Sequence, residues 1–180
     1  MQKQLQLQKT MMTLYIIIAV VAFSYSLCFM TAYKDLFGLM LKQNSNIAYF
    51  HDVFMQNFNQ QIFWFTLYGV VLIALFYIFG VNKYIPDLIA TVVLTSVLLV
   101  VCIFCVYSII ELPSLQKTYL SLDFSGLSLE GAIDYQIKTT TFIVGVIIFV
   151  IDFLISLISA LSLIKSHITY KKIKRRMING

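Results

Sequence analysis

Charge is what this chain has least of. Charged residues make up 12% of its 180 residues, against about a quarter in an ordinary soluble domain, while hydrophobic residues reach 60%. A globule this small cannot bury that excess, so much of it must face lipid. Glycine and proline are also scarce, at seven and two, which argues against the interrupted helices that build midplane substrate sites in many transporters. The only histidines, His51 and His167, lie outside the long apolar runs, which excludes bis-histidine haem ligation inside a bilayer. There is no P-loop, nucleophile elbow, paired-acid site or His-rich metal constellation, so the sequence predicts neither a cofactor nor a metal and points away from an enzyme.

What is present is four apolar runs, at about 11–31, 62–80, 87–110 and 139–164. About 20 apolar residues in a helix cross a hydrocarbon core of about 30 Å. By length the chain is one domain, 1–180. The expected fold is all-α and integral to the membrane, an antiparallel four-helix bundle with outer loops at 32–61 and 111–138 and a basic tail at 165–180. The first run ends at no small-x-small site, and Leu27 before Cys28 does not suit a lipoprotein site. It is therefore expected to anchor and not to be cleaved.

Charge distribution predicts the orientation. Lys3, Lys9, Lys83 and the six basic residues from Lys165 to Arg176 fall on one side if all four runs cross. The other side keeps Lys34, Lys42, Lys117 and Lys138. Both termini are expected in the cytoplasm of a cell whose plasma membrane holds the chain. The cluster Lys171, Lys172, Lys174, Arg175 and Arg176 then meets an anionic inner leaflet, at about 1 kcal/mol per basic residue near the surface. Its position beside an apolar run, with no basic-aromatic soluble domain, argues against nucleic acid as a partner.

The loops carry patterns of their own. Phe50, Phe54 and Phe58 recur every four residues, as on one face of a short helix. His51-Asp52 reads as solvated surface. Between Tyr119 and Glu130 apolar and polar residues alternate on both sides of Ser125-Gly126, which predicts a β-hairpin. The short link between the second and third runs predicts a tight helical hairpin.

Three places bear chemistry. Asp152 is the only charge in the interior of a run, where a carboxylate costs about 2.5–3.5 kcal/mol on insertion scales. With Gly145, Ser156, Ser159 and Ala160 it forms a small, polar stripe suited to contact with protein. Three roles are open to it: a protonated acid bonded to Ser or Thr of another span, an ion-pair partner for another subunit, or a proton or cation site in a transport path. Cys102 and Cys105 form a C-x-x-C pair that, with Cys28 at a comparable depth, allows a quinone-linked thiol chemistry as an alternative. Finally, Thr91, Thr95, Leu98, Cys102, Cys105 and Ile109 of the third run, and Thr13, Ile17, Val20, Ser24, Leu27 and Thr31 of the first, are expected to be inward packing seams. Together these features predict a non-enzymatic subunit of a larger or homo-oligomeric membrane complex. A small oligomeric transporter or channel with Asp152 in its path is the alternative.

Overall fold

The computed structural model describes residues 2–30, 45–76, 88–123 and 139–179. All regular structure in them is helical: α1 (Gln2–Met30), α2 (Ser45–Tyr49), a π-helical turn (Phe50–Met55), α3 (Gln56–Phe76), α4 (Leu88–Leu120) and α5 (Thr140–Asn179). Four of these helices are long and apolar enough to cross a membrane.

The helices meet along seams of alternating three- and four-residue steps. In α1 the buried seam is Met12, Tyr15, Ala19, Ala22 and Ser26. In α3, continuing from the π turn, it is Met55, Asn59, Ile62, Thr66, Gly69 and Ile73. In α4 it begins Thr91, Leu94, Leu98, Val101 and Cys105 and runs to Tyr119. In α5 it begins Phe142, Gly145, Phe149, Asp152, Ser156 and Ser159 and reaches Leu163. A repeat averaging 3.5 residues keeps one stripe facing its neighbours along the whole helix, the packing of a coiled-coil-like bundle.

In spatial order the helices run α3, α1, α5, α4, because α1 packs on both α3 and α5, and α5 packs on α4. Two tyrosines of α1 make these contacts close. Tyr15 lays its hydroxyl against Gly69 of α3, 3.3 Å from where a Cβ would stand. Tyr25 crosses Gly145 of α5 and donates a hydrogen bond to the Thr141 carbonyl, 2.9 Å away. A Cβ at position 145 would collide with the Tyr25 ring and Leu112 Cδ1. Glycine is therefore what allows α1 and α5 to approach here.

Several expectations are corrected. The second and third apolar runs do not form a tight hairpin, since α3 and α4 touch only sparsely. Phe65 stacks on Phe104 at 4.0 Å, and below that contact a groove of about 270 Å³ opens between Gly69, Tyr68, Ser96 and Val100. The first run turns its predicted seam outward: Ile17, Val20 and Leu27 are exposed, as are Thr13 and Ser24. The hydroxyls misled because they need no protein neighbour. Thr13 donates to the Lys9 carbonyl at 3.0 Å and Ser24 to the Val20 carbonyl at 2.9 Å, so the helix satisfies them itself. Thr31 lies outside the described residues. In α4 the predicted positions 91, 98 and 105 are correct, but the alternating ones are Leu94, Val101 and Ser108, one residue before those expected. Cys102 is nonetheless also buried.

The loop regions are more helical than their patterns suggested. Residues 45–61, read as loop, continue into α3 without a break, and α4 runs on through Pro113 to Leu120. Tyr119, expected to open a strand, instead ends the α4 seam. It packs on Phe50 and Phe142 with centroids at 5.4 Å and 5.9 Å, and this large aromatic burial outweighs a local alternation. Ser121 turns back to the Lys117 and Thr118 carbonyls. The predicted Ser125-Gly126 turn lies outside the described residues. The wide π turn also shifts register, so Phe50 and Phe58 are buried while Phe54 stands 42% exposed. His51, expected in solvent, is buried with Nδ1 3.2 Å from Asp52 Oδ1.

Candidate functional site

The chemistry-bearing side chains of the interior gather around Asp152. The α5 seam carries it inward, 3% exposed, between Phe149 and Ser156. Ser156, one turn further on, donates from Oγ to Asp152 Oδ1 at 3.2 Å. From α4 come Cys105, fully buried, and Cys102, which directs its Sγ at the Phe153 carbonyl, 4.0 Å away. From α1 comes Tyr15, 2% exposed, its hydroxyl against Gly69 of α3. Three helices thus contribute to one polar knot in an apolar core.

The predicted stripe is real as a face, but its members do different work. Ser156 bonds the acid. Ser159 is 1% exposed, and its hydroxyl finds no hydrogen-bond partner among the described residues. Gly145 lies two turns from Asp152 and serves the Tyr25 crossing instead. Ala160 is buried beside the seam.

Cys102 and Cys105 are free and buried, near the middle of α4 and not toward one end, because that helix runs ten residues beyond 110. Tyr15 is the α1 residue at their level. Cys28 stands thirteen residues beyond it in the same helix, about 20 Å along the axis at 1.5 Å per residue. The side chain of Cys28 lies outside the described residues. Among the described residues no group of three or more His, Cys, Asp or Glu is placed to hold a metal.

Sequence reading missed Tyr15 and Tyr25. The signal that finds them is their place in the stretch Met12, Tyr15, Ala19, Ala22, Tyr25, where bulky residues flank two alanines on one face of α1. At the end of the bundle that holds both termini, Lys165, Lys171, Lys172, Lys174, Arg175 and Arg176 are all exposed on the final turns of α5. They form a site separate from the Asp152 knot. Comparison with protein-family models, with curated proteins and with solved structures finds no match for this chain.

Proposed function

We propose that this chain is a non-enzymatic subunit of a membrane assembly, inserted by its four long helices with both termini on the cytoplasmic side of the plasma membrane. The observation that carries this reading is the enclosure of the Asp152 knot. Asp152 is buried and bonded by Ser156, Cys102 of α4 directs its thiol at the Phe153 carbonyl of α5, and Cys105 and Tyr15 are buried in the same core. Side chains so engaged hold helices together at a desolvated polar contact, where an unpaired partner would cost several kcal/mol. What the chain has left to offer lies outward: the apolar faces of its helices and the basic end of α5.

The charge bias of the segments flanking the apolar runs supports the orientation. The reading is tested by mass measurement of the chain extracted from its native membrane into lipid nanodiscs. A subunit travels as a species heavier than one 20.7 kDa chain plus its lipid. A monomer as the sole species at native expression overturns it.

A further inference from the structure

The α5 seam does not stop where its neighbours do. After Leu163 the same alternation continues through Ser166, Tyr170, Ile173 and Met177. Burial fades along it: Leu163 is 1% exposed, Ser166, Tyr170 and Ile173 are partly exposed, and Met177 is 72% exposed. The helix itself is unbroken to Asn179. α1 runs antiparallel to α5, with Tyr25 bonded to the Thr141 carbonyl, so at equal rise per residue its first residues fall near position 165. Beyond that level the packing surface of the bundle persists without a described helix to cover it.

Depth decides what meets it. Asp152 is central in the apolar stretch 139–164. At 1.5 Å per residue, Lys171 stands about 28 Å and Arg176 about 36 Å from that level. Half a bilayer with its headgroups is about 20–22 Å. An upright α5 therefore carries its last basic residues past the lipid surface into water, where Met177 and Ile178, both more than 70% exposed, have no apolar surroundings. Numbering the seam as a heptad with Tyr170 at a and Ile173 at d puts Lys174 at e and Arg176 at g. These flanking positions select a partner by charge. No acidic residue occurs in 1–34 or 153–180. Asp87 is the sole acid that the orientation above places on this side, so a second copy cannot supply the complement.

We propose that α5 beyond Leu163 is a docking seam for an acidic helix of a different protein, with apolar residues facing Tyr170, Ile173 and Met177 and carboxylates facing Lys174 and Arg176. This rests on the assembly reading and names the chemistry of the partner: a Glu- or Asp-flanked heptad segment on the side of the termini.

The test uses the full chain in nanodiscs of zwitterionic phosphatidylcholine, at physiological salt. The probe is a synthetic helical peptide with Leu at a and d and Glu at e and g; the control peptide carries Lys at e and g. The acidic peptide should bind and the control should not. Ile173→Ser with Met177→Ser, and separately Lys174→Glu with Arg176→Glu, should each weaken binding at least tenfold. Lys171→Glu with Lys172→Glu, off the seam, should stay within threefold of wild type. Equal losses from both charge-reversed pairs would reduce the effect to bulk attraction and overturn the seam. So would absence of binding, or a photo-crosslinker at Met177 that labels lipid or residues 77–87 of the same chain in the presence of the peptide. A native assembly that persists in the Ile173→Ser, Met177→Ser variant sinks this inference and leaves the subunit reading standing. A wild-type chain that is monomeric in its native membrane yet binds the acidic peptide sinks the subunit reading and leaves the seam.

Discussion

The two halves of α5 share one pattern and meet opposite surroundings. From Phe142 to Leu163 the seam is covered by α1 and α4, and it tolerates an acid, two serines and a glycine because each is enclosed. From Ser166 to Met177 the same period continues with larger side chains and loses its cover. Periodicity therefore tells which face of a helix is made for contact. It does not tell whether the contact lies within the chain.

The largest effect is expected in the covered half. Gly145→Val forces a branched side chain against Tyr25 and Leu112 and should cost about 1–3 kcal/mol, read as a lowered unfolding midpoint in detergent. An unchanged midpoint would mean that α1 and α5 do not approach as described. On α1, Ala22→Leu on the buried face should cost a similar amount, about 1–3 kcal/mol. Ile17→Ala on the outward face should stay within about 0.5 kcal/mol of wild type. Reversal of that order would restore the hydroxyl-bearing face as the true seam.

Tyr25→Phe removes the donor to the Thr141 carbonyl and keeps the ring on Phe149. A loss of about 0.5–1.5 kcal/mol is expected; a loss as large as that of Gly145→Val would assign the hydroxyl a greater share than one hydrogen bond accounts for. The smallest effect belongs to the uncovered half. Ile173→Ala in the isolated chain should shift stability by less than about 0.5 kcal/mol. A loss above 2 kcal/mol would show that this chain already covers its own seam.

The architecture was legible because length and apolarity suffice to place a membrane helix, and four such runs yielded four such helices. Packing faces were less legible, and α1 shows why. Thr13 and Ser24 looked like contact residues by polarity, yet each bonds a carbonyl of its own helix. Tyr15 and Tyr25, which bring α1 onto Gly69 and Gly145, look like ordinary bulk in a sequence with eleven tyrosines. In α4 the heptad positions 91, 98 and 105 were visible, but a one-residue choice between 94 and 95 needs the neighbouring helix to decide it. At the loop end, alternation from Tyr119 onward imitated a strand, and only the aromatic contact with Phe50 and Phe142 shows that α4 continues to Leu120. Asp152 could be assigned to a protein environment from its cost in lipid. That Cys102 of α4 would direct its thiol at the neighbouring Phe153 carbonyl could not, since no spacing rule links residues 102 and 153.

The enclosure of Asp152 within this chain is most directly tested with a lipid-soluble carbodiimide, which couples to carboxyls that it can reach from the hydrocarbon. In membranes, mass spectrometry of the treated protein should find Asp152 unmodified. An acid placed at the adjoining outward position by Ile151→Asp, where the native side chain is 42% exposed, should be labelled under the same conditions. Labelling of Asp152 to the same extent as that control would contradict the enclosed knot.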